Sequence, residues 1–382
     1  MILRIAFLLI ILLLLPALYI DRKLVRRPWQ RWLLWTPNVL MAMAMLWWVL
    51  FEGFGDTEVF WKGLYLIVLL AVTLSEAVFS LISLLGRVSR NPVVRRAANG
   101  FGLVVALLFC GSMLYGYTFG AYNLKVKETS YASADLPPAF DGYRIVQVSD
   151  LHVGTFASHP EAVSRIVAAV NAQKADLIVF TGDLVNYHAG ELGSFADELA
   201  GLRATDGVLS VLGNHDYMNY YHWPTEADRE RDLQQLVRMQ RDMGWHLLMN
   251  DHEVIRRGAD SLVVIGVEND GKPPFPQRGD LPKAQRGVEN AGFKVLLSHD
   301  PTHWRRKVLP ETDIDLTLSG HTHGMQLKIG DFSPAVWFYP EWGGLYHDGA
   351  RALHVSLGAG EVLMPFRLGA WPEINVITLH RK

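Results

Sequence analysis

Cysteine is almost absent from this 382-residue chain. Cys110 stands alone in an apolar run, so no intramolecular disulfide can form and Cys110 reads as a small buried apolar residue. Histidine is missing from residues 1–122, and all 14 histidines follow. That absence excludes imidazole chemistry from the first third of the chain. The same stretch is poor in acid, with 5 Asp/Glu against 11 Lys/Arg, whereas the remainder has 33 against 25. A long acidic part lacks the Lys/Arg clusters that phosphate backbones demand, so no nucleic-acid partner is expected.

The first part does hold long hydrophobic runs. Residues 2–20, 32–51, 64–86 and 101–122 each approach the ~20 residues that cross a bilayer. Arg22, Lys23, Arg26, Arg27 and Arg31 occupy the first connection, and Arg87, Arg90, Arg95 and Arg96 the third. The second carries Glu52, Asp56 and Glu58 with Lys62. Basic connections stay in the cytoplasm, so both termini and the whole second part are expected outside it. Reading 2–20 as a cleaved leader would instead carry five basic residues across, and the nearest small-residue site is only Pro16-Ala17-Leu18. Trp29, Trp32, Trp35, Trp47, Trp48 and Trp61 near the run ends fit an interfacial aromatic belt. Glu76 sits mid-run, where an ionisable group needs a partner or a cavity; Thr73, Ser75 or another helix are the available partners.

Residues 1–122 are therefore expected as a four-span transmembrane region, 123–142 as a linker with Ser130, Ser133, Pro137 and Pro138, and 143–382 as one soluble domain. In the last, apolar β-branched runs alternate with helical patterns. Strands are expected at 143–148, 176–180 and 207–212, with helices at 160–172, 192–202 and 226–243 between and after them. Further strands are expected at 254–256, 261–267, 293–297, 315–318, 325–329, 352–356 and 374–379. This order predicts a mixed α/β domain of packed sheets.

Five short motifs fall where these strands end: Asp150-Leu151-His152, Gly182-Asp183, Gly213-Asn214-His215-Asp216, Ser298-His299-Asp300 and Gly320-His321-Thr322-His323. Carboxyl ends of strands in open α/β sheets are where ligands bind. Oxygen and imidazole without thiolate is a donor set for Mn, Fe, Zn or a similar divalent metal. The histidines outside these motifs read as surface or packing residues, with His188 and His222 the nearest to a pocket. Asp300 reads either as a support for His299 or as a cap before Pro301.

At these residues the chain resembles the calcineurin-like metallophosphoesterases, whose pattern is D-x-H, G-D, G-N-H-[DE], H and G-H-x-H. Every element is present, across roughly 143–382. The tail Met364-Pro365-Phe366-Arg367 and Pro372-Glu373-Ile374 is similar to the subgroup of bacterial membrane-associated phosphoesterases and transmembrane proteins bearing this domain. Met325 stands where that subgroup often has a second glycine. The resemblance implies an α/β sandwich of two mixed sheets flanked by helices, holding two divalent or mixed-valence metal ions. Asp150, His152 and His323 would hold one, Asn214, His299 and His321 the other, and Asp183 would bridge them. Such a pair of cations, ~3.5–4 Å apart, clamps a phosphoryl group for in-line attack by water. His215 would stabilise developing charge or protonate the leaving oxygen, and Asp216 would orient it.

The expected function is a membrane-anchored phosphoesterase in a bacterial cell membrane, acting on a monoester, diester or pyrophosphate that is lipid-linked. Trp337, Phe338, Tyr339 and Trp342 follow the last motif and are candidates for a lipid-facing entrance. Two alternatives stand beside it: a pyrophosphohydrolase of UDP-diacylglucosamine in lipid A synthesis, which needs a cytoplasmic domain, and a non-catalytic membrane sensor or scaffold.

Overall fold

The computed structural model describes residues 2–47 and 59–382 and divides into two compact units, Met1–Thr118 and Phe119–Lys382. The acidic connection with Glu52, Asp56 and Glu58, and Trp48, lie outside the described residues, as does the Lys62 side chain.

In the first unit the four apolar runs form α1 (Ile2–Lys23), α2 (Pro28–Trp47), α3 (Val59–Gly86) and α4 (Pro92–Thr118). Two stretches, Gly63–Gly86 and Pro92–Tyr122, are long and apolar enough to cross a membrane by length and composition. α3 and α4 pack closely because small residues face each other: a methyl at Gly86 would overlap Ala98. Polar side chains inside the unit find one another. Glu76 accepts from Asn38 Nδ2 on α2 at 3.0 Å, so its partner is a neighbouring helix. Ser83 bonds Asn99 at 2.6 Å and Tyr19 at 2.9 Å.

The second unit is a four-layer sandwich. The element order is β1 (Lys125–Ser133), β2 (Arg144–Val148), α5 (Glu161–Asn171), β3 (Leu177–Phe180), α6 (Ala196–Leu199), β4 (Val208–Ser210), α7 (Glu226–Asp242) and β5 (His246–Leu247). Then follow β6 (Asp251–Arg257), β7 (Asp260–Gly266), α8 (Leu281–Ala284), β8 (Lys294–Leu297), α9 (Leu309–Glu311), β9 (Leu316–Ser319), β10 (Gly344–Asp348), β11 (Arg351–Val355) and β12 (Glu373–Arg381). One sheet runs β1-β12-β2-β3-β4-β5 and the other β10-β11-β9-β8-β7-β6. β2 to β5 are parallel, as are β7, β8, β9 and β11, so in each sheet the motif-bearing strand ends share one edge.

Strand alternation builds the layers. Ile145, Leu177 and Val179 point between the sheets against Val264, Val295 and Leu297. Their neighbours Val146, Ile178 and Phe180 point outward, onto the apolar stripe Val163, Ile166, Val167 and Val170 of α5. Val263, Ile265 and Leu296 cover the opposite outer face, with Trp304 and Val308 packed on them.

Three expectations need correction. The segment 123–142 is no linker. β1 lies inside it and pairs in parallel with β12 over nine residues, from Lys125 with Glu373 to Ser133 with Arg381. Tyr131 fixes it by donating to the carbonyls of Ala350 (2.8 Å) and Asp315 (3.0 Å). Secondly, 325–329 forms no strand, because Met325 and Gln326 adopt positive φ in a tight turn. Thirdly, the helix expected at 192–202 is only α6 and a preceding turn at Ala189–Leu192.

Candidate metal centre

The motif loops leave parallel strands and turn sharply over the sheet edge. Asp150 (φ 54), His152 (φ 47), Asp183 (φ 60), His321 (φ 75) and His323 (φ 49) all adopt the left-handed region. Non-glycine residues there cost of order 1–3 kcal/mol each and persist only where neighbours hold them. The holding contacts run from loop to loop. Asp150 N donates to the Gly182 carbonyl (2.9 Å), His152 N to the Asp183 carbonyl (3.1 Å), and His321 N to the Asp150 carboxylate (2.9 Å). Such close crossing explains two motif glycines. A methyl at Gly213 would overlap the Asp183 carboxylate, and one at Gly320 the Asp150 carboxylate and the Ser149 hydroxyl.

The side chains converge. Asp150, His152 and His323 present donor atoms within 4.8 Å of one another, as do Asp183, His299 and His321. His152 Nε2 lies 3.2 Å from His323 Nε2 and 3.6 Å from Asp183 Oδ2; His323 Nε2 lies 3.4 Å from Asp150 Oδ1. His299 Nε2 lies 3.1 Å from both Asp183 Oδ2 and Asn214 Oδ1. A third group brings His215 together with His152 and Asp183. All seven residues expected as ligands therefore lie in one cluster.

The hydrogen bonds around the rings suit cation binding. His299 Nδ1 donates to the Thr181 carbonyl at 2.8 Å, which aims Nε2 at Asp183 and Asn214. His321 Nε2 meets the Tyr339 hydroxyl at 2.8 Å, while its Nδ1 is buried with no protein partner. Asn214 Nδ2 donates to the Tyr220 hydroxyl at 2.9 Å, which turns the amide oxygen inward. Burial, with neighbouring positive charge, lowers the proton affinity of His152 and His323 well below the usual histidine range. Burial pushes His321 down to about 4. Metal ligands must be neutral imidazoles, so this environment favours them. Burial raises Asp150 to about 6. Burial also acts against ionised Asp183 and His299, yet their proximity prevails: Asp183 is held well below the carboxylate range and His299 rises to about 10. In the metal-free protein these two form a buried ion pair.

Asp216 does something other than orient His215. Its carboxylate accepts from four main-chain N–H groups, those of Asp183 (2.8 Å), Leu184 (2.8 Å), Val185 (3.2 Å) and Gly213 (2.9 Å). It fastens the Gly182-Asp183 loop to the Gly213-Asn214 loop. The group at 2.9 Å from His215 Nδ1 is the Asn186 carbonyl, and the Tyr220 ring packs 4.3 Å from the imidazole. His215 is partly exposed, whereas His152 and Asp183 beside it are buried. Asp300 accepts from Thr302 N at 2.8 Å, a local cap, and its other oxygen lies 3.7 Å from His321 rather than against His299.

Sequence reasoning missed Asn186 and Tyr220 and gave Arg367 no role. Arg367 is fully buried, donates to the carbonyls of Gly360 and Ala370, and lies 3.0 Å from His323 Nδ1. A long cationic side chain in a chemistry-bearing tail was the available signal. Asn186 meets His215 through its backbone carbonyl, which leaves no mark in a sequence, while its side chain donates to the His152 carbonyl at 3.1 Å. His188 packs edge-on against Tyr221 at 5.7 Å and His222 is exposed; neither belongs to a donor group among the described residues.

Comparison with known proteins gives the family of the domain that carries this site. Residues 143–325 match the calcineurin-like phosphoesterase family, and residues 3–121 match the probable calcineurin-like phosphoesterase transmembrane domain. A transmembrane protein with metallophosphoesterase domain from Danio rerio is 29% identical over 98% of this chain and 89% of its own length. The uncharacterized metallophosphoesterase YkuE of Bacillus subtilis is 29% identical over 73% of this chain and 94% of its own. Among solved structures, the sulfate thiohydrolase SoxB of Thermus thermophilus aligns with 64% of this chain and 57% of that one, at 16% identity and TM-score 0.38, a likeness too slight to add to the family match. The matches do not support the UDP-diacylglucosamine alternative, and they favour a hydrolase over a scaffold. The family uses divalent metals, and the residues assembled here are fitted to hold them. The chain thus carries a calcineurin-like phosphoesterase domain behind a four-helix transmembrane domain, and it is a metal-dependent hydrolase of phosphoric esters.

Proposed function

We propose that this phosphoesterase works with two divalent cations on a lipid-linked phosphoester outside the cytoplasm. The observation that carries the reading is the convergence of five strand-end loops on one buried cluster with Asp183 central to it. Asp150, His152 and His323 would hold one cation, and Asn214, His299 and His321 the other, with Asp183 shared. When bound, the cations supply charge neutralisation at the phosphoryl oxygens and lower the pKa of water.

The remaining work falls to the chain. Asn214 contributes a neutral oxygen, which leaves more positive charge for an anionic substrate. His215 is the more accessible ring, held at Nδ1 by the Asn186 carbonyl, so its Nε2 is free to face substrate. It would stabilise charge developing on the phosphoryl group or give a proton to the leaving oxygen. Asp216 keeps the two loops that present Asp183 and Asn214 in register. The membrane domain supports the lipid linkage, and the basic first and third connections support the outer location.

The test uses the full chain in detergent with bis(p-nitrophenyl) phosphate. Chelation should abolish hydrolysis, and Mn²⁺, Fe²⁺ or Zn²⁺ should restore it with two ions per chain by elemental analysis. Full activity of protein shown to be metal-free would end the reading. A C-terminal alkaline phosphatase fusion should be active and a green fluorescent protein fusion dark; the reverse pattern would place the domain in the cytoplasm.

A further inference from the structure

One loop forms the rim of the metal centre, and both of its ends are tied to it. It begins at His323 in the turn His323–Gln326 and ends at Tyr339, whose hydroxyl meets His321 Nε2 at 2.8 Å. Between them the chain holds itself in place. Ile329 and Phe332 exchange main-chain hydrogen bonds of 2.9 and 3.1 Å in a tight hairpin, and Ser333 Oγ donates to the Gly324 carbonyl at 2.6 Å. Phe332 packs edge-on against Trp337 at 5.8 Å. Val362 N donates to Gln326 Oε1 at 2.9 Å, which brings Leu363 alongside.

A loop so internally bonded is expected to show polar side chains to water. This one shows Met325, Ile329, Phe332, Val336, Trp337 and Phe338, with Ile329 68% and Trp337 72% exposed. Among the described residues of the second unit, the exposed large apolar side chains number ten. Six are in this loop and Leu363 lies beside it. Tyr220 packs on His215 at the same site, while Phe119 and Val126 follow the end of α4 in the sequence. Among the described residues of the second unit, large exposed apolar side chains thus fall at the mouth of the site and in the segment that follows α4. A concentrated patch of this kind marks something that covers it.

The chain itself supplies the occupant. A unit that follows a four-helix transmembrane domain stays at a bilayer surface, so the interfacial region is present at high effective concentration. Mixed aromatic and aliphatic side chains suit that region, and Lys328, whose ammonium lies 5.7 Å over the Trp342 ring, suits its anionic headgroups. We infer that the loop 325–338, with Leu363, inserts into the bilayer interface and presents the phosphoester headgroup of a membrane lipid to the metal centre. The docking stands on the apolar loop alone; only the presentation of a headgroup rests on the phosphoesterase reading.

The experiment uses the full chain in lipid nanodiscs. In a Cys110→Ala background, Ile329→Cys is labelled with bimane, and quenching by spin-labelled lipid is compared with quenching by aqueous iodide. Loss of emission to the lipid quencher supports docking. Quenching by iodide alone overturns it, because the loop then faces water. Protection from both, relieved by dilution with unlabelled protein, assigns the patch to a second copy and also overturns it.

Activity is then read on two probes, phosphatidylglycerol in the same disc and bis(p-nitrophenyl) phosphate in solution. The double variant Ile329→Asp with Leu363→Asp places charge on outward side chains and should lower lipid hydrolysis roughly tenfold, the equivalent of ~1.4 kcal/mol of lost docking, with the soluble diester untouched. Equal losses on both probes would mean a structural lesion and overturn the assignment. Wild-type turnover of the soluble diester without any of the lipid overturns headgroup presentation. No turnover of either sinks the phosphoesterase reading, and quenching still decides docking.

Discussion

The two sheets of the catalytic unit contribute unequally to its centre. The sheet of β2, β3 and β4 provides every oxygen donor of the expected ligand set, Asp150, Asp183 and Asn214, and adds His152. The sheet of β8 and β9 provides only imidazoles, His299, His321 and His323. The halves are also held differently. Main-chain N–H groups fix the oxygen side, four of them on Asp216 and one from His321 on Asp150. Ring contacts to a carbonyl, a phenol and a guanidinium fix the imidazole side. Negative charge comes from one sheet and three imidazoles from the other; of the three donor groups only His152, Asp183 and His215 draws on a single sheet, and the seven expected ligands meet only across both. Closing the sandwich makes the centre.

The strongest way to break this comparison is Asp183→Asn, which removes the carboxylate facing both His152 and His299. A loss of about 10³-fold or more in kcat/KM is expected, with one or both cations missing by elemental analysis. A variant that kept its metals and its rate would show that Asp150 alone supplies the needed charge. Next comes His215→Gln, which leaves both halves intact. Turnover should fall about 10²-fold while metal content stays at the wild-type level. An emptied site would instead make His215 a ligand, as its grouping with His152 and Asp183 permits.

A third prediction exploits the ion pair across the sheets. His299 in the metal-free protein holds its proton up to about 10, because Asp183 outweighs the opposing effect of burial. Below that value a cation must displace the proton, and the competition fades as pH rises. Metal affinity should therefore increase about tenfold per pH unit between roughly 7 and 9, read by metal titration of chelator-stripped protein. A flat profile would mean that His299 is already neutral. The smallest effect is expected from Tyr339→Phe, which frees His321 Nε2. Affinity for one cation should weaken about tenfold with the other unchanged. Equal weakening of both would mean that the imidazole half is held as one piece.

Much of this was legible in the sequence because strand ends and metal motifs coincide. Val146 and Val148 before Asp150, and Leu316 and Leu318 before His321, are β-branched or aliphatic at alternate positions. What escaped was structure without a side-chain signature. β1 reads as a linker because Lys125, Lys127 and Glu128 make a polar edge strand whose pairing depends on residues nearly 250 positions away. The 325–329 segment looks like a strand, yet its neighbour is Leu368, whose backbone takes the bonds of Gln326 and Lys328 and curls the turn. The role of Asp216 escaped because its four partners are backbone amides, which every residue type but proline offers.

The placing of β12 between β1 and β2 has a consequence for the order of assembly. β1 is the first strand the ribosome releases after the membrane helices, yet its partner is β12, and β2 pairs with the other edge of that same strand. Loops that span most of a domain close slowly, since their entropy is lost before any contact returns it. β1 and the open edge of β2 must therefore wait through synthesis of the whole sandwich. His152 and Asp150, just beyond β2, gain their final support only then, so hydrolytic competence arrives as the last event of folding rather than by increments.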